Sequence, residues 1–214
     1  MTKTIALLQE ATYEQASIEI AERGYSIIDG FLSPVEVSQI LNTIHAEEAE
    51  GAFNPAGIGQ GADFQRNQKI RRDEIRWIDH NDPPVSCLPY FERLQNMIRY
   101  LNRTCYLGIR DMEMHFAVYQ PGGFYKRHLD VFHRTQSRKL SAICYLNPEW
   151  TAADGGALKL YLPNEDGTEE TLTVLPEAGR LMLFESHAIE HEVEVAHRER
   201  CSITGWLKDE TQLF

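Results

Sequence analysis

The chain has 214 residues, 43% of them hydrophobic, which is enough for an ordinary core and argues against disorder by composition. Lys plus Arg number 21 against 32 Asp plus Glu, a net charge of −11, which disfavours nucleic acid or an anionic membrane as the main partner. No apolar run approaches the ~20 residues that span a bilayer, Ile5-Ala6-Leu7-Leu8 is too short for a signal-peptide core, and Cys87, Cys105, Cys144 and Cys201 show no paired spacing, so the expectation is a cytoplasmic chain with reduced thiols.

The first half, 1–105, reads as mostly helical. Thr12-Tyr13-Glu14-Gln15 is a capping-box pattern and Gly24 a stop, which predicts a helix over 13–23. A short strand follows at Tyr25-Ser26-Ile27-Ile28. Ser33-Pro34-Val35-Glu36 is a stronger helix start, and Val37, Ile40, Leu41 and Ile44 continue it at helical spacing until Gly51. A third helix near 89–102 places Leu94, Met97, Ile98 and Leu101 on one face. Between the last two lies a Gly-rich loop, 51–69, whose length marks either a mobile functional segment or a disordered one.

From 106 to 214 the pattern changes to period two. Met112, Met114, Phe116 and Val118 alternate with Glu113, His115, Ala117 and Tyr119, and Leu140, Ala142, Cys144 and Leu146 alternate with Ser141, Ile143 and Tyr145. Further strands are predicted at 156–162, 171–175, 180–184, 191–195 and 200–207. About eight short strands after a helical half give an α+β chain, 1–214 as one domain, with N-terminal helices packed on a sandwich or barrel. Residues 196–199 read as a hairpin connection between the last two strands.

One pair of segments carries chemistry. His128-Leu129-Asp130 puts an imidazole and a carboxylate on the same side of a strand, roughly 7 Å apart along the backbone, which suits chelation of a divalent metal. His191 opens a later strand, and nine residues on Arg200, Ser202, Thr204 and Trp206 share one face of another, with Cys201, Ile203 and Leu207 on the opposite face. A guanidinium buried there needs an anionic partner, and a carboxylate ligand supplies one. Two histidines and one carboxylate with open positions form the facial triad of non-haem iron oxygenases.

At these residues the sequence resembles the Fe(II)/2-oxoglutarate oxygenases, and within them the prolyl 4-hydroxylases of the HIF type and their bacterial relatives. The resemblance runs from about Ile70 to the C-terminus, through 70–79, Tyr119 to Asp130, Tyr145 to Trp150, Gly155 to Leu158, and His191 to Trp206. It implies a double-stranded β-helix (jelly-roll, cupin-like) core, with Fe(II) held by His128, Asp130 and His191. Arg200 would pair with the distal carboxylate of 2-oxoglutarate, Tyr145 and Thr204 would donate to it, and Tyr119 would line its pocket. Ser202 adds a second hydroxyl near Arg200, so the choice between Ser202 and Thr204 stays open. Tyr125, Arg138 and Trp206 would surround a substrate proline, and Asp73 would form an ion pair with Arg138. The cosubstrates implied are 2-oxoglutarate and O2, with ascorbate as reductant. The implied reaction is hydroxylation at C4 of a prolyl residue in a cytoplasmic protein, with elongation factor Tu as the leading partner for the bacterial branch. A small-molecule hydroxylase and a non-catalytic sensing module are the alternatives. The segment 131–137, with His133, is too short to carry the substrate docking of the animal enzymes.

Overall fold

The computed structural model describes residues 2–57, 67–130, 137–164 and 166–210. The first helix, α1 (Thr2–Arg23), is longer than the capping-box pattern suggests. Thr12 lies inside it and its hydroxyl donates to the carbonyl of Leu8, so the Thr-x-x-Gln pattern is continued helix rather than a start. Gly24 does end the helix, at φ +77, donating its N–H to Ile20. The strand β1 (Tyr25–Ile28) follows, then α2 (Pro34–Ala49) with the expected capping box at Ser33 and Glu36. The same Glu36 carboxylate receives Arg93 of α3 (Leu88–Thr104), so one carboxylate caps one helix and ties it to another.

Within the expected loop, Asn54–Pro55 form a short strand, β2, against β3 (Glu74–Ile78). Of that loop, 58–66 lies outside the described residues, as does 131–136 with His133. The period-two half gives β4 (Asp111–Tyr119), β5 (Tyr125–His128), β6 (Arg138–Tyr145), β7 (Leu158–Pro163), β8 (Glu169–Val174), β9 (Leu181–Glu185), β10 (Glu190–Val193) and β11 (Arg200–Lys208).

These strands form two antiparallel sheets. The larger has the order β1-β9-β6-β11-β4-β3-β2 and the smaller β5-β10-β7-β8. The strands β10 and β11 therefore belong to different sheets, and the expected hairpin at 196–199 is not one. Residues 194–199 carry the chain across the sandwich, pinned by Glu194 N–H to Ala157 O and Ala196 N–H to Gly123 O. The strand β10 pairs with β5 and β7, and β11 with β4 and β6.

Side-chain alternation sorts the core into two layers. The outward face of the large sheet, with Phe116, Val118, Ala142, Cys144, Ile203 and Leu207, shares one buried cluster with Ile40, Ile44, Leu94, Met97 and Leu101 of α2 and α3. Each such Leu or Ile contributes roughly 1.5–3 kcal/mol by leaving water. The inward face contributes Ala117, Tyr119, Ile143, Tyr145, Met182 and Phe184 to a second cluster with Leu158, Leu160, Val174 and Val193 of the small sheet. The second layer is narrower and opens into a cavity.

Candidate active site

His191 of β10 is the direct cross-strand partner of His128 of β5, so both imidazoles project from one face, with ring centroids 4.2 Å apart. Asp130 lies two residues beyond the end of β5, and its oxygens sit 3.6 Å from Nε2 of His128 and 3.6 Å from Nε2 of His191. The three ligand atoms fall within 4.8 Å of one another. The orientation is fixed from behind. Nδ1 of His128 donates to Lys126 O at 2.7 Å, which leaves Nε2 facing the centre. Ser141 donates to Asp130 at 2.6 Å and is bonded to Ser186. Burial alone would raise the Asp130 carboxyl, but His191, His128 and Ser141 outweigh it and hold it well below the usual range. Burial pushes His191 down to about 4, so it is a neutral imidazole at neutral pH, the form a metal takes.

Arg200 is 1% exposed, the largest fully buried side chain among the described residues. Its Nε donates to Gly156 O at 2.8 Å, while Nη2 has no partner. The rings of Tyr119 and Tyr145 flank the guanidinium at 5.0 and 5.2 Å. Gly156 holds φ +62, and a Cβ there would stand 3.0 Å from Arg200 Cδ, so the strand entry must lack a side chain for the arginine to lie where it does. The Tyr145 hydroxyl also lacks a partner, and burial pushes it up to about 12, so it stays a donor. Ser202 and Thr204 bond to each other at 2.9 Å. An unmatched buried guanidinium, with unspent donors around it and the His128–Asp130–His191 cluster across the cavity, fits a bound anion that also reaches a metal.

Cavity-lining residues include the triad, Arg200, Thr204, Tyr119, Tyr125, Asp73, Arg138 and Trp206, around a volume of about 1180 Å³. Tyr145 and Ser202 sit behind that lining. Tyr125 stacks on His128 with centroids 3.6 Å apart and lies under Arg71. Arg138 lies 3.4 Å over Trp206, and its fork reaches the Asp130 carbonyl and Glu113.

The expected Asp73–Arg138 ion pair is absent. Asp73, buried, receives both Nε and Nη2 of Arg71 at 2.7 and 2.5 Å, and Arg138 is taken by Glu113. The reason is local: an arginine two residues upstream on the same extended segment reaches the carboxylate before one on another strand does. The sequence reading missed Arg71, Glu113 and Ser141 as site residues. Ser141 carried a signal, because it shares the inward parity of Tyr145 on an otherwise apolar strand. Arg127, exposed, binds Glu169 and Glu190 across the small sheet.

The matching family model is the 2OG-Fe(II) oxygenase superfamily, over residues 114–208, from β4 to β11. A prolyl-4-hydroxylase of Pseudomonas putida is 36% identical, with 93% of this chain and 100% of that one covered, at a TM-score of 0.80. A prolyl hydroxylase from Trichoplax adhaerens, solved with a hypoxia inducible factor oxygen degradation domain peptide, is 29% identical, covering 95% and 92%, at a TM-score of 0.79. Prolyl 3-hydroxylase OGFOD1 of Xenopus laevis is 34% identical over 77 residues, 33% of this chain, and the match spans only 15% of that protein's length.

Proposed function

The chain belongs to the 2OG-Fe(II) oxygenase superfamily, and on that premise we propose that it is a prolyl 4-hydroxylase acting on a proline within a cytoplasmic protein. The observation that carries the cosubstrate reading is Arg200, buried with a free Nη2 in the cavity that holds the His128–Asp130–His191 cluster. The prolyl reading rests on the full-length similarity to the Pseudomonas putida enzyme. We take 1–214 as one domain whose two sheets form a double-stranded β-helix with the helices packed against it.

When bound, Fe(II) supplies the oxidising chemistry, in which O2 and 2-oxoglutarate are consumed to succinate and CO2 and one oxygen is delivered to the substrate. His128, Asp130 and His191 would hold the metal. Arg200 neutralises the distal carboxylate, and Tyr145 with Thr204 or Ser202 supplies hydrogen bonds. Tyr119 closes the cosubstrate pocket. Tyr125, Arg138 and Trp206 form the wall for the proline, and Asp73 anchors Arg71 at the cavity edge. The cavity exceeds the ~300–1,000 Å³ usual for a small-ligand pocket and extends to Trp77, which is 53% exposed, so its reach suits a chain segment.

The test is peptide mass spectrometry on a bacterial lysate incubated with the protein, Fe(II) and 2-oxoglutarate, against a control lacking 2-oxoglutarate. One added oxygen on a proline, with elongation factor Tu the first protein to inspect, supports the reading. Succinate release without an oxidised peptide moves it to a small-molecule substrate.

A further inference from the structure

We propose that His45, Glu199 and Cys201 form a second metal site, of zinc type, on the outer side of the large sheet and separate from the His128–Asp130–His191 centre. Near the start of β11 alternation sends Arg200 inward, and its neighbours Glu199 and Cys201 therefore meet α2 on the other side. His45, in the last turns of α2, brings Nε2 to 2.9 Å from Oε1 of Glu199, and Cys201 Sγ lies 3.7 Å from the same oxygen. All three ligand atoms lie within 4.8 Å of one another. A tetrahedral zinc with bonds of about 2.0–2.3 Å spaces its ligands by roughly 3.3–3.8 Å, so little movement is needed.

The donor chemistry selects the ion. One thiol, one imidazole and one carboxylate suit Zn(II), whereas Mg(II) and Ca(II) prefer oxygen throughout. The sulfur is buried, with Cys201 1% exposed, while the His45 and Glu199 side chains are 50% and 37% exposed, so an ion enters from solvent and meets its sulfur at the bottom. Local charge favours a cation as well. Glu48, three residues after His45, faces Glu199, and burial with that like charge pushes its carboxyl up. Binding breaks the Cys201 S–H bond, forms a sulfur–metal bond and releases one proton to solvent. Occupancy clamps the end of α2 to the residues on either side of Arg200.

The experiment is a Co(II) titration of the whole protein followed optically, with zinc stoichiometry measured in parallel. The expected result is a thiolate-to-cobalt charge-transfer band in wild type. That band persists in Asp130→Ala, whose lost site contains no sulfur, and Asp130→Ala binds one zinc fewer. His45→Ala, at a half-exposed position that leaves the fold intact, weakens the titration at least about tenfold, and Cys201→Ser removes the band. A wild type without the band overturns the proposal. So does a band unchanged in His45→Ala, which would belong to Cys87, Cys105 or Cys144.

Discussion

The two faces of the large sheet are built from alternate residues of the same strands, yet they differ in what they leave unfinished. On the outer face Phe116, Ala142, Cys144, Ile203 and Leu207 are buried apolar groups that satisfy one another. On the inner face His115, Tyr145, Arg200 and Trp206 each keep a buried polar atom with no partner: Nδ1, the hydroxyl, Nη2 and Nε1. That apolar layer is complete without any ligand. The inner face is held in an incomplete state by the outer one, and its orphan atoms are the places a ligand must satisfy. Over these residues, parity along a strand divides apolar packing from orphan polar atoms.

The sharpest way to break that division is at the metal cluster. Asp130→Ala is expected to lower 2-oxoglutarate turnover at least about 100-fold, more than loss of a supporting hydrogen bond to a metal ligand costs, with the circular dichroism spectrum unchanged. Unaltered succinate production in that variant would remove Asp130 from the site. Next comes Arg200→Met. Losing one partner of a buried charge pair costs about 2–5 kcal/mol, so the KM for 2-oxoglutarate should rise roughly 30- to 5000-fold. The ligand-free protein should at the same time become more stable by about 1 kcal/mol, because an unmatched buried charge has gone. A fall in its denaturation midpoint would show that Arg200 is structural.

The outer face should answer in the opposite sense. Leu207→Ala is expected to cost about 2–5 kcal/mol in urea unfolding while the KM for 2-oxoglutarate holds. The smallest effect concerns His115. Burial, then Arg71 and Arg138, pushes it down to about 3. The unfolded chain takes up this proton below about pH 6.5 and the folded one does not, so stability should decline as pH falls from 6.5 towards 3. His115→Gln should flatten that part of the stability profile, and an unchanged slope in chemical denaturation would assign the acid sensitivity elsewhere.

Much of this arrangement could be read from residue order. The alternation of Arg200, Ser202, Thr204 and Trp206 against Cys201, Ile203 and Leu207 placed the two faces of β11 correctly, because period two is imposed by the backbone itself. The approach of His128 and Asp130 was anticipated from their spacing, although Asp130 lies beyond the end of β5 and not on a strand, and Ser33 with Glu36 announced α2. What stayed hidden depends on which strand lies next to which. The step from β10 to β11 looked like a hairpin because sequence shows neighbours in the chain and not sheets. The pairing of Arg138 with Asp73 was implied by the resemblance alone, and Arg71, on the same segment, takes the carboxylate instead. The Thr12 pattern failed because a capping motif inside a run of good helix formers is overridden by the helix on either side.

The crossing at 194–199 has a consequence for selectivity. His191 and Arg200 stand on sheets whose separation, about 10 Å in packed sandwiches, is set by the Leu158, Leu160, Met182 and Phe184 layer and not by the ligand. Metal cluster and guanidinium are thereby the two jaws of a fixed calliper. On the proposed assignment of the two ends of 2-oxoglutarate to these jaws, a dicarboxylate one carbon shorter should reach only one of them, and the apolar packing between the sheets would measure the cosubstrate.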